Sequence, residues 1–233
     1  MPLSSSRWDD CPLCGHRVKI SGGLSWTALA FEKEPGRDAM TSEAANSNDR
    51  QRRRVPLSMS HIGLYVHDLP RMEDFYTRVL GFTVTDRGKV RDADIVFTSW
   101  DPKDHHQVAL VTGRPKDLGF NHVNQISFRV AAVEDLQEIW RRVKDEPGVT
   151  DMRPMDHGNA WSLYFRDPEG NRLEVFCDTA WYIDQPCIED LDLSQPADKI
   201  RAKSDAFCRT APGFRPIADF QAEIAKKMGL NRS

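Results

Sequence analysis

One internal repeat constrains the fold of this chain more than any other feature. Residues 61–66 read His-Ile-Gly-Leu-Tyr-Val, and residues 125–130 read Gln-Ile-Ser-Phe-Arg-Val. Each segment is followed by a Val-Thr-Asp triplet and then by an Asp-Pro pair, at offsets of 64 to 66 residues between the two copies. An offset that stays nearly constant predicts two similar modules, and paired modules commonly build a shared cleft.

The first copy has the hydrophobic pattern of a strand, a helix and three further strands. Residues 61–66 form the first strand, and Asp68 is a typical helix start. Apolar residues then recur at helical spacing until Gly81, which ends the helix; they are Met72, Phe75, Tyr76, Val79 and Leu80. Three strands are predicted after the helix, at residues 82–87, 94–100 and 107–112.

The second copy repeats this order. The predicted strand at 125–130 precedes a helix that ends at the Pro-Gly pair of residues 147–148. Its buried face consists of Val133, Leu136, Ile139, Trp140 and Val143. Strands are predicted at 149–152, 160–165 and 172–177. We therefore expect an α+β fold in which two β-α-β-β-β modules, residues 58–113 and 120–178, pair into one domain spanning 58–178.

The flanking regions differ from these modules. Residues 1–57 are polar and lack periodicity, which predicts a disordered N-terminal extension. Cys11 and Cys14 form one CxxC pair with only His16 nearby, whereas a zinc site needs about four ligands. An incidental pair is therefore favoured over a zinc site. Residues 179–233 form a C-terminal arm with two short helices, near 196–208 and 216–229, whose aromatic residues are expected to pack on the core or on a partner subunit.

Composition excludes several classes of function and suggests a compartment. The net charge of −3 gives no broad basic face for nucleic acid. No apolar run approaches the roughly 18 residues that a membrane span needs, so no membrane association is expected. The five cysteines are odd in number and scattered, which is typical of reduced thiols in a cytoplasmic protein.

Polar residues recur at equivalent strand positions and suggest a metal site. His61 opens the first strand of module one, and Gln125 holds the same place in module two. Glu174 is flanked by Leu173 and Val175, which point to the opposite face of the last strand. A carboxylate in a partly apolar interior is costly unless a cation or metal pairs with it. The alternative is a glutamate that points to solvent from an edge strand, but the repeat favours a metal ligand.

The two modules resemble the vicinal oxygen chelate superfamily over residues 58–178. That superfamily includes glyoxalases, fosfomycin and bleomycin resistance proteins, and type I extradiol ring-cleavage dioxygenases. The segments most similar to the dioxygenases are residues 106–110, which read His-Gln-Val-Ala-Leu, and residues 157–176, which begin with His-Gly-Asn. The resemblance implies one vicinal oxygen chelate domain with a metal-centred cleft.

The resemblance to the dioxygenases also implies roles for individual residues. Iron(II) would be held by His61, Gln125 and Glu174, leaving open positions for a catecholate and O₂. His106 matches the histidine near bound oxygen, and His157 matches the histidine that acts as acid or base on the ring hydroxyl. Tyr164 matches the tyrosine that hydrogen-bonds a substrate oxygen. Together, these six assignments imply a non-haem iron(II) extradiol dioxygenase that is similar to catechol 2,3-dioxygenase and acts on a catechol-like aromatic compound.

Gln125 departs from the dioxygenase pattern, which has a second histidine ligand there. An amide oxygen is a weaker donor, so Mn(II) or another divalent metal is an alternative to iron. This departure keeps two other functions open: a glyoxalase-like divalent-metal lyase or isomerase, and a bleomycin-resistance-like protein that binds a small molecule without metal. The 66-residue offset makes Val108 the counterpart of Glu174, and valine cannot supply the fourth ligand that glyoxalases use.

The substrate is expected to be a small aromatic compound used with O₂, and the arm could support a homodimer. Aromatic side chains could line the substrate cavity; the candidates are Trp161, Phe165, Trp181 and Tyr182.

Overall fold

The computed structural model describes residues 7–10, 17–20, 57–117 and 121–230. The chain divides into two compact units, residues 1–56 and 57–233. In the first unit, β1 (Arg7–Asp10) pairs with β2 (Arg17–Ile20) in an antiparallel hairpin. The CxxC pair and most of the segment predicted to be disordered lie outside the described residues.

Module one forms a four-stranded sheet with one helix. Asp68 caps the helix, because its Oδ1 accepts a hydrogen bond from the Arg71 N–H at 3.1 Å. The strand order is β3-β6-β5-β4, with β3 parallel to β6 and the other pairs antiparallel. The elements are β3 (Ile62–Val66), α1 (Leu69–Asp74) with a π-helical continuation (Phe75–Val79), β4 (Thr83–Val90), β5 (Ala93–Ser99) and β6 (Val108–Thr112).

Module two repeats this topology strand for strand. Its order is β7-β10-β9-β8, and β7 is again parallel to β10 while the other pairs are antiparallel. The elements are β7 (Ile126–Arg129), α2 (Val133–Val143), β8 (Thr150–Asp156), β9 (Ala160–Arg166) and β10 (Arg172–Asp178). The prediction of an α+β fold built from two β-α-β-β-β modules is therefore confirmed.

The C-terminal arm packs on module two. The Trp161 indole N–H on β9 donates to the Ser204 hydroxyl on α3 (Ala197–Cys208) at 3.1 Å, and both side chains are buried. The short strand β12 (Glu189–Asp190) extends the second sheet by pairing with β8. The arm consists of β11 (Trp181–Tyr182), β12 (Glu189–Asp190), α3 (Ala197–Cys208), β13 (Arg215–Pro216) and α4 (Ile217–Lys227), with β11 paired to β13.

The inner faces of both sheets share one hydrophobic core with the two module helices. Leu64 and Val66 of β3 belong to this core, and so do Leu173 and Val175 of β10. Since side chains alternate along a strand, the residues between them point to the outer face of each sheet, away from the core. Residues at the positions of His61 and Glu174 therefore lie on the outer faces of two different sheets.

A buried carboxylate links the two modules. Glu169, in the β9–β10 loop of module two, accepts hydrogen bonds from the backbone N–H groups of His67 and Asp68, each at 2.8 Å. Its second oxygen pairs with the Arg114 guanidinium at 3.2 Å, and the Glu169 side chain is only 5% exposed. The start of α1 is thus fixed against module two.

Within the described ranges, no helix is both long enough and apolar enough to cross a membrane.

Candidate metal and acid–base site

Glu174 is the centre of a hydrogen-bonded cluster on the outer face of the second sheet. It is only 8% exposed, and the alternation of side chains along β10 puts it on the face opposite Leu173 and Val175. One carboxylate oxygen accepts from the Gln125 amide at 2.7 Å and from the Ser127 hydroxyl at 2.6 Å. The other oxygen accepts from the Ser162 hydroxyl at 2.8 Å. These donors come from β9 and from the start of β7, the two strands that flank β10.

The donor chemistry of this cluster fits a divalent cation. Among the described residues, no lysine, arginine or histidine forms an ion pair with Glu174, so its negative charge is held by neutral donors alone. A buried carboxylate favours a cationic partner. Rotation of the Gln125 amide would present its oxygen beside that carboxylate, and carboxylate and amide oxygens are the ligands that hard divalent ions prefer.

His61 does not belong to this hydrogen-bonded cluster. It lies just before β3, its Nδ1 is 3.3 Å from the Ser60 hydroxyl, and within the described part of the chain it makes no hydrogen bond to Gln125 or Glu174. A groove of about 640 Å³ beside β7 has both His61 and Ser127 in its lining. One chain therefore assembles two of the three predicted metal ligands, and the described residues contain no cluster of three His, Cys, Asp or Glu side chains able to hold a metal.

His106 lies with His61 on module one. The two imidazole ring centroids are 4.2 Å apart, and the His106 ring also contacts Phe97 at 4.8 Å. Burial, and to a lesser extent the neighbouring His61 and His105, holds the pKa of His106 below its usual value. The His106 ring is consequently neutral at physiological pH.

His157 and Tyr164 form a hydrogen-bonded pair beside Glu174. The His157 Nε2 lies 3.0 Å from the Tyr164 hydroxyl, and its Nδ1 lies 2.7 Å from the backbone carbonyl of Cys187. Burial, followed by the nearby Glu174, raises the pKa of Tyr164 to about 12. The phenol therefore keeps its proton at neutral pH and acts as a hydrogen-bond donor.

These groups share one cavity of about 380 Å³ on the outer face of module two. Its polar wall includes His157, Tyr164 and Glu174, and its apolar wall includes Phe176 and Ile188. The structure thus brings together Gln125, Glu174, His157 and Tyr164, and separates them from His61 and His106.

None of the four aromatic residues predicted to line the substrate cavity borders this one. Trp161 and Phe165 point into the core, because residues of odd number on β9 point inward while Tyr164 points outward. Tyr182 stacks on Phe220, with ring centroids 3.9 Å apart. The four are Trp161 and Phe165, buried in the core, Trp181, packed edge-on against Trp161, and Tyr182, stacked on the arm helix α4.

The strand register also corrects the counterpart of Glu174 in module one. Ser127 pairs with Glu174 in module two, and the equivalent Gly63 pairs with Ala109 in module one. Ala109, not Val108, therefore occupies the equivalent outer-face position. Module one still lacks the fourth metal ligand that glyoxalases use, because the alanine side chain, like that of valine, has no ligand atom.

Four contributors to the site were not anticipated. Ser127 and Ser162 share the parity of Gln125 and Tyr164, so the alternation of the strands contained a signal for both hydroxyls. The amide of Gln185 and the carbonyl of Cys187 come from the arm, and no motif in the sequence indicates that this segment covers His157.

Comparison with known proteins identifies the family. The family described as Glyoxalase/Bleomycin resistance protein/Dioxygenase superfamily matches residues 58–175. Biphenyl-2,3-diol 1,2-dioxygenase 3 of Rhodococcus globerulus is 30% identical over 128 residues, which cover 52% of this chain and 63% of that protein. Metapyrocatechase of Pseudomonas sp. (strain CF600) is 30% identical over 173 residues, which cover 70% of this chain and 54% of that protein.

The matches are partial in length. The chain covers between about half and two thirds of the length of the curated relatives that it matches. Among solved structures, a glyoxylase/bleomycin resistance protein/dioxygenase domain from Frankia sp. EAN1pec aligns with a TM-score of 0.47 and 23% identity, over 54% of this chain and 94% of that one. Because the family match covers just over half of the 233 residues, the chain belongs to the Glyoxalase/Bleomycin resistance protein/Dioxygenase superfamily.

Proposed function

We propose that this protein is a metal-dependent extradiol-type dioxygenase that cleaves the ring of a catechol-like aromatic compound with O₂. One observation carries the proposal: the His157–Tyr164 pair shares a cavity with a buried carboxylate, Glu174, that has no cationic partner among the described residues. Two relatives at 30% identity are named as dioxygenase and metapyrocatechase, which supports the same reaction class.

Iron(II) is the proposed metal, with Mn(II) or another divalent ion as the alternative. Gln125 and Glu174 would supply its oxygen ligands and His61 its nitrogen ligand. When bound, the metal would supply Lewis acidity and a template for the two reactants. Glu174 keeps its position because three hydroxyl and amide donors orient both of its oxygens.

The acid–base chemistry is assigned to the residues around the cavity. The Nε2 of His157 would accept the proton of a ring hydroxyl, since an unprotonated imidazole nitrogen that faces the cavity can act as a general base. The Tyr164 hydroxyl would donate a hydrogen bond to the same substrate oxygen. His106, neutral and partly buried, would be the histidine on the oxygen side of the ring.

We further propose that the complete site forms in a homodimer. His61 and His106 lie on the outer face of one sheet, and Glu174 lies on the outer face of the other, so one chain carries two half-sites. In a two-fold dimer, module one of each subunit would face module two of the other. Because such an interface is reciprocal, the dimer would contain two complete sites. His61 of the partner subunit would then complete the Gln125–Glu174 pair.

The proposed partners are otherwise the small aromatic substrate and O₂, with no role for nucleic acid or membranes. We propose a cytoplasmic location, which is supported by Cys177, Cys187 and Cys208, because none of the three is paired in a disulfide.

Anaerobic reconstitution with iron(II) tests the function. Oxygen uptake and the yellow absorbance of ring-fission products are followed over a panel of catechols. We expect uptake that matches product formation, abolished in Glu174→Ala and retained in Glu223→Ala, which removes an exposed glutamate on α4. Bound iron without uptake on any catechol would contradict the proposal.

A second candidate is an oxygen-independent divalent-metal lyase or isomerase, favoured by the amide of Gln125 at the metal position. Turnover with Mn(II) under anaerobic conditions would support it. A protein that binds no metal but holds a small molecule tightly would instead be a binding protein of the bleomycin-resistance kind.

A further inference from the structure

A segment of the C-terminal arm covers the candidate acid–base histidine. Residues 183–188, here called the arm loop, connect β11 to β12 and contribute part of the cavity wall. The loop is fixed at both ends, because Ile183 is 2% exposed and β12 pairs with β8 through Glu189 and Asp156. It therefore crosses the outer face of module two directly above His157.

The glutamine of the arm loop holds the histidine and the loop together. The Gln185 side-chain amide donates to the His157 carbonyl at 2.7 Å, and its side-chain oxygen accepts from the Cys187 N–H at 3.2 Å. The Cys187 carbonyl in turn lies 2.7 Å from the His157 Nδ1. One side chain thus sets the separation between the imidazole ring and the carbonyl that faces it.

The backbone packing of this region leaves the arm loop little freedom. Gly158, next to His157, has a φ of +76°, and a Cβ at this position would lie 2.3 Å from the Ile183 Cδ1. The Thr179 hydroxyl donates to the Gly158 carbonyl at 2.8 Å. The turn that carries His157 and the start of the arm loop are therefore in close contact.

The contact with Cys187 has a consequence for the histidine proton. A backbone carbonyl can only accept a hydrogen bond, so the His157 Nδ1 must carry a proton to satisfy it. In a neutral imidazole the other nitrogen is then a lone-pair acceptor. The Tyr164 hydroxyl, 3.0 Å from Nε2, is a phenol that can donate to it.

We propose that the arm loop fixes His157 as the Nδ1–H tautomer, with Gln185 as the positioning residue, so that Nε2 is the proton acceptor that faces the cavity. The tautomer is a property of the free protein. Only its use as a base rests on the proposed function. The arm, which lies outside the two modules, thereby sets the chemical form of a residue inside one of them.

Nuclear magnetic resonance of the full-length, metal-free protein labelled with ¹⁵N-histidine tests the proposal. Long-range ¹H–¹⁵N correlations of the His157 ring should show a protonated Nδ1 and an unprotonated Nε2. In Gln185→Ala we expect a mixture of tautomers. On a substrate that the wild type turns over, kcat should fall about 10-fold with KM unchanged, less than the 100-fold or more typical for loss of a general base.

Two further variants separate positioning from general stability. Gln137→Ala removes a glutamine amide that also donates to two backbone carbonyls of the arm, those of Leu193 and Gln195, at 2.9 and 2.7 Å; both lie beyond β12 and outside the arm loop. It should leave the His157 pattern unchanged. Tyr164→Phe should also retain the proton on Nδ1, because the carbonyl and not the phenol sets the tautomer.

Three results would overturn the inference. They are an Nε2–H tautomer in the wild type, an unchanged tautomer in folded Gln185→Ala, and a switch of tautomer in Tyr164→Phe. If Gln185→Ala does not fold, the wild-type and Tyr164→Phe spectra still decide. A wild type that consumes no oxygen would contradict the proposed function and leave these spectra fully interpretable.

Discussion

The two modules share a topology but differ in the chemistry of their outer faces. Both have the strand order first, fourth, third, second, and both bury the same alternate positions in one core. The outer face of module one carries His61 and His106 in ring contact. The outer face of module two carries Glu174 with its three donors, and the arm loop covers it.

Equivalent positions show where the copies have diverged. His61 corresponds to Gln125, and Ala109 corresponds to Glu174. The inward positions keep apolar residues in both copies, because the shared core depends on them. The repeat therefore preserves the fold, and it divides the candidate ligands between two faces.

The largest effect is expected from Glu174, which module one replaces with alanine. Glu174→Ala should weaken iron(II) or Mn(II) binding by more than about 100-fold, because loss of outer partners alone costs about 10–100-fold. Ser162→Ala, which removes one of the three donors, should stay within that smaller range. Metal binding measured by equilibrium dialysis checks both. Equal affinity in Glu174→Ala and the wild type would remove this residue from the site.

Subunit mixing tests whether the two faces meet in a dimer. His61→Ala and Glu174→Ala are each expected to be inactive. After refolding an equal mixture, half of the dimers are mixed and each mixed dimer has one intact site, so about a quarter of wild-type metal sites and activity should return.

The two unmixed variants are the matched controls for that experiment. A site formed within one chain would give no recovery, because every chain would still lack one ligand. Recovery without a detectable dimer by sedimentation would also contradict the proposed arrangement.

The fold could be predicted from the sequence because alternation and helical spacing are local properties. The same alternation correctly assigned Glu174 to the face opposite Leu173 and Val175. The same alternation also puts Trp161 and Phe165 in the core, but their aromatic character alone led to the prediction that they line the cavity.

The separation of His61 and His106 from Glu174 could not be predicted from these local patterns. Which faces of two modules meet is decided by how α1, α2 and both sheets pack, and by contacts such as that between Glu169 and the start of α1. The position of the arm loop over His157 depends on the path of the arm. Side chains such as Gln185 fix that path by hydrogen bonds to backbone groups, which no sequence motif indicates. The one-residue error at Val108 arose because a constant offset does not fix strand register.

Tyr164 offers a contrast with the exposed Tyr65 on module one. Tyr164→Phe removes a hydrogen-bond donor from the cavity and should lower kcat by about 100-fold, as expected for loss of a donor to a developing charge. Tyr65 is 64% exposed, and Tyr65→Phe should leave kcat unchanged. Steady-state oxygen uptake measures both. An equal loss in the two variants would show that the effect does not arise in the cavity of module two.

The smallest effect concerns the link between the modules and not the chemistry. Glu169 satisfies two backbone N–H groups and Arg114 in a nearly buried position. Its counterpart in the first copy, Lys103, is exposed. Glu169→Ala should lower the free energy of unfolding by about 1–3 kcal/mol, because buried donors lose their acceptor. Lys103→Ala should change it by less than about 0.5 kcal/mol.

Urea denaturation followed by tryptophan fluorescence distinguishes these two variants. Equal unfolding midpoints would mean that the Glu169 contacts do not stabilise the module interface. A lower midpoint in Glu169→Ala, with metal binding by the folded protein unchanged, would show that one copy of the loop joins the modules while the ligands on the outer faces act independently of it.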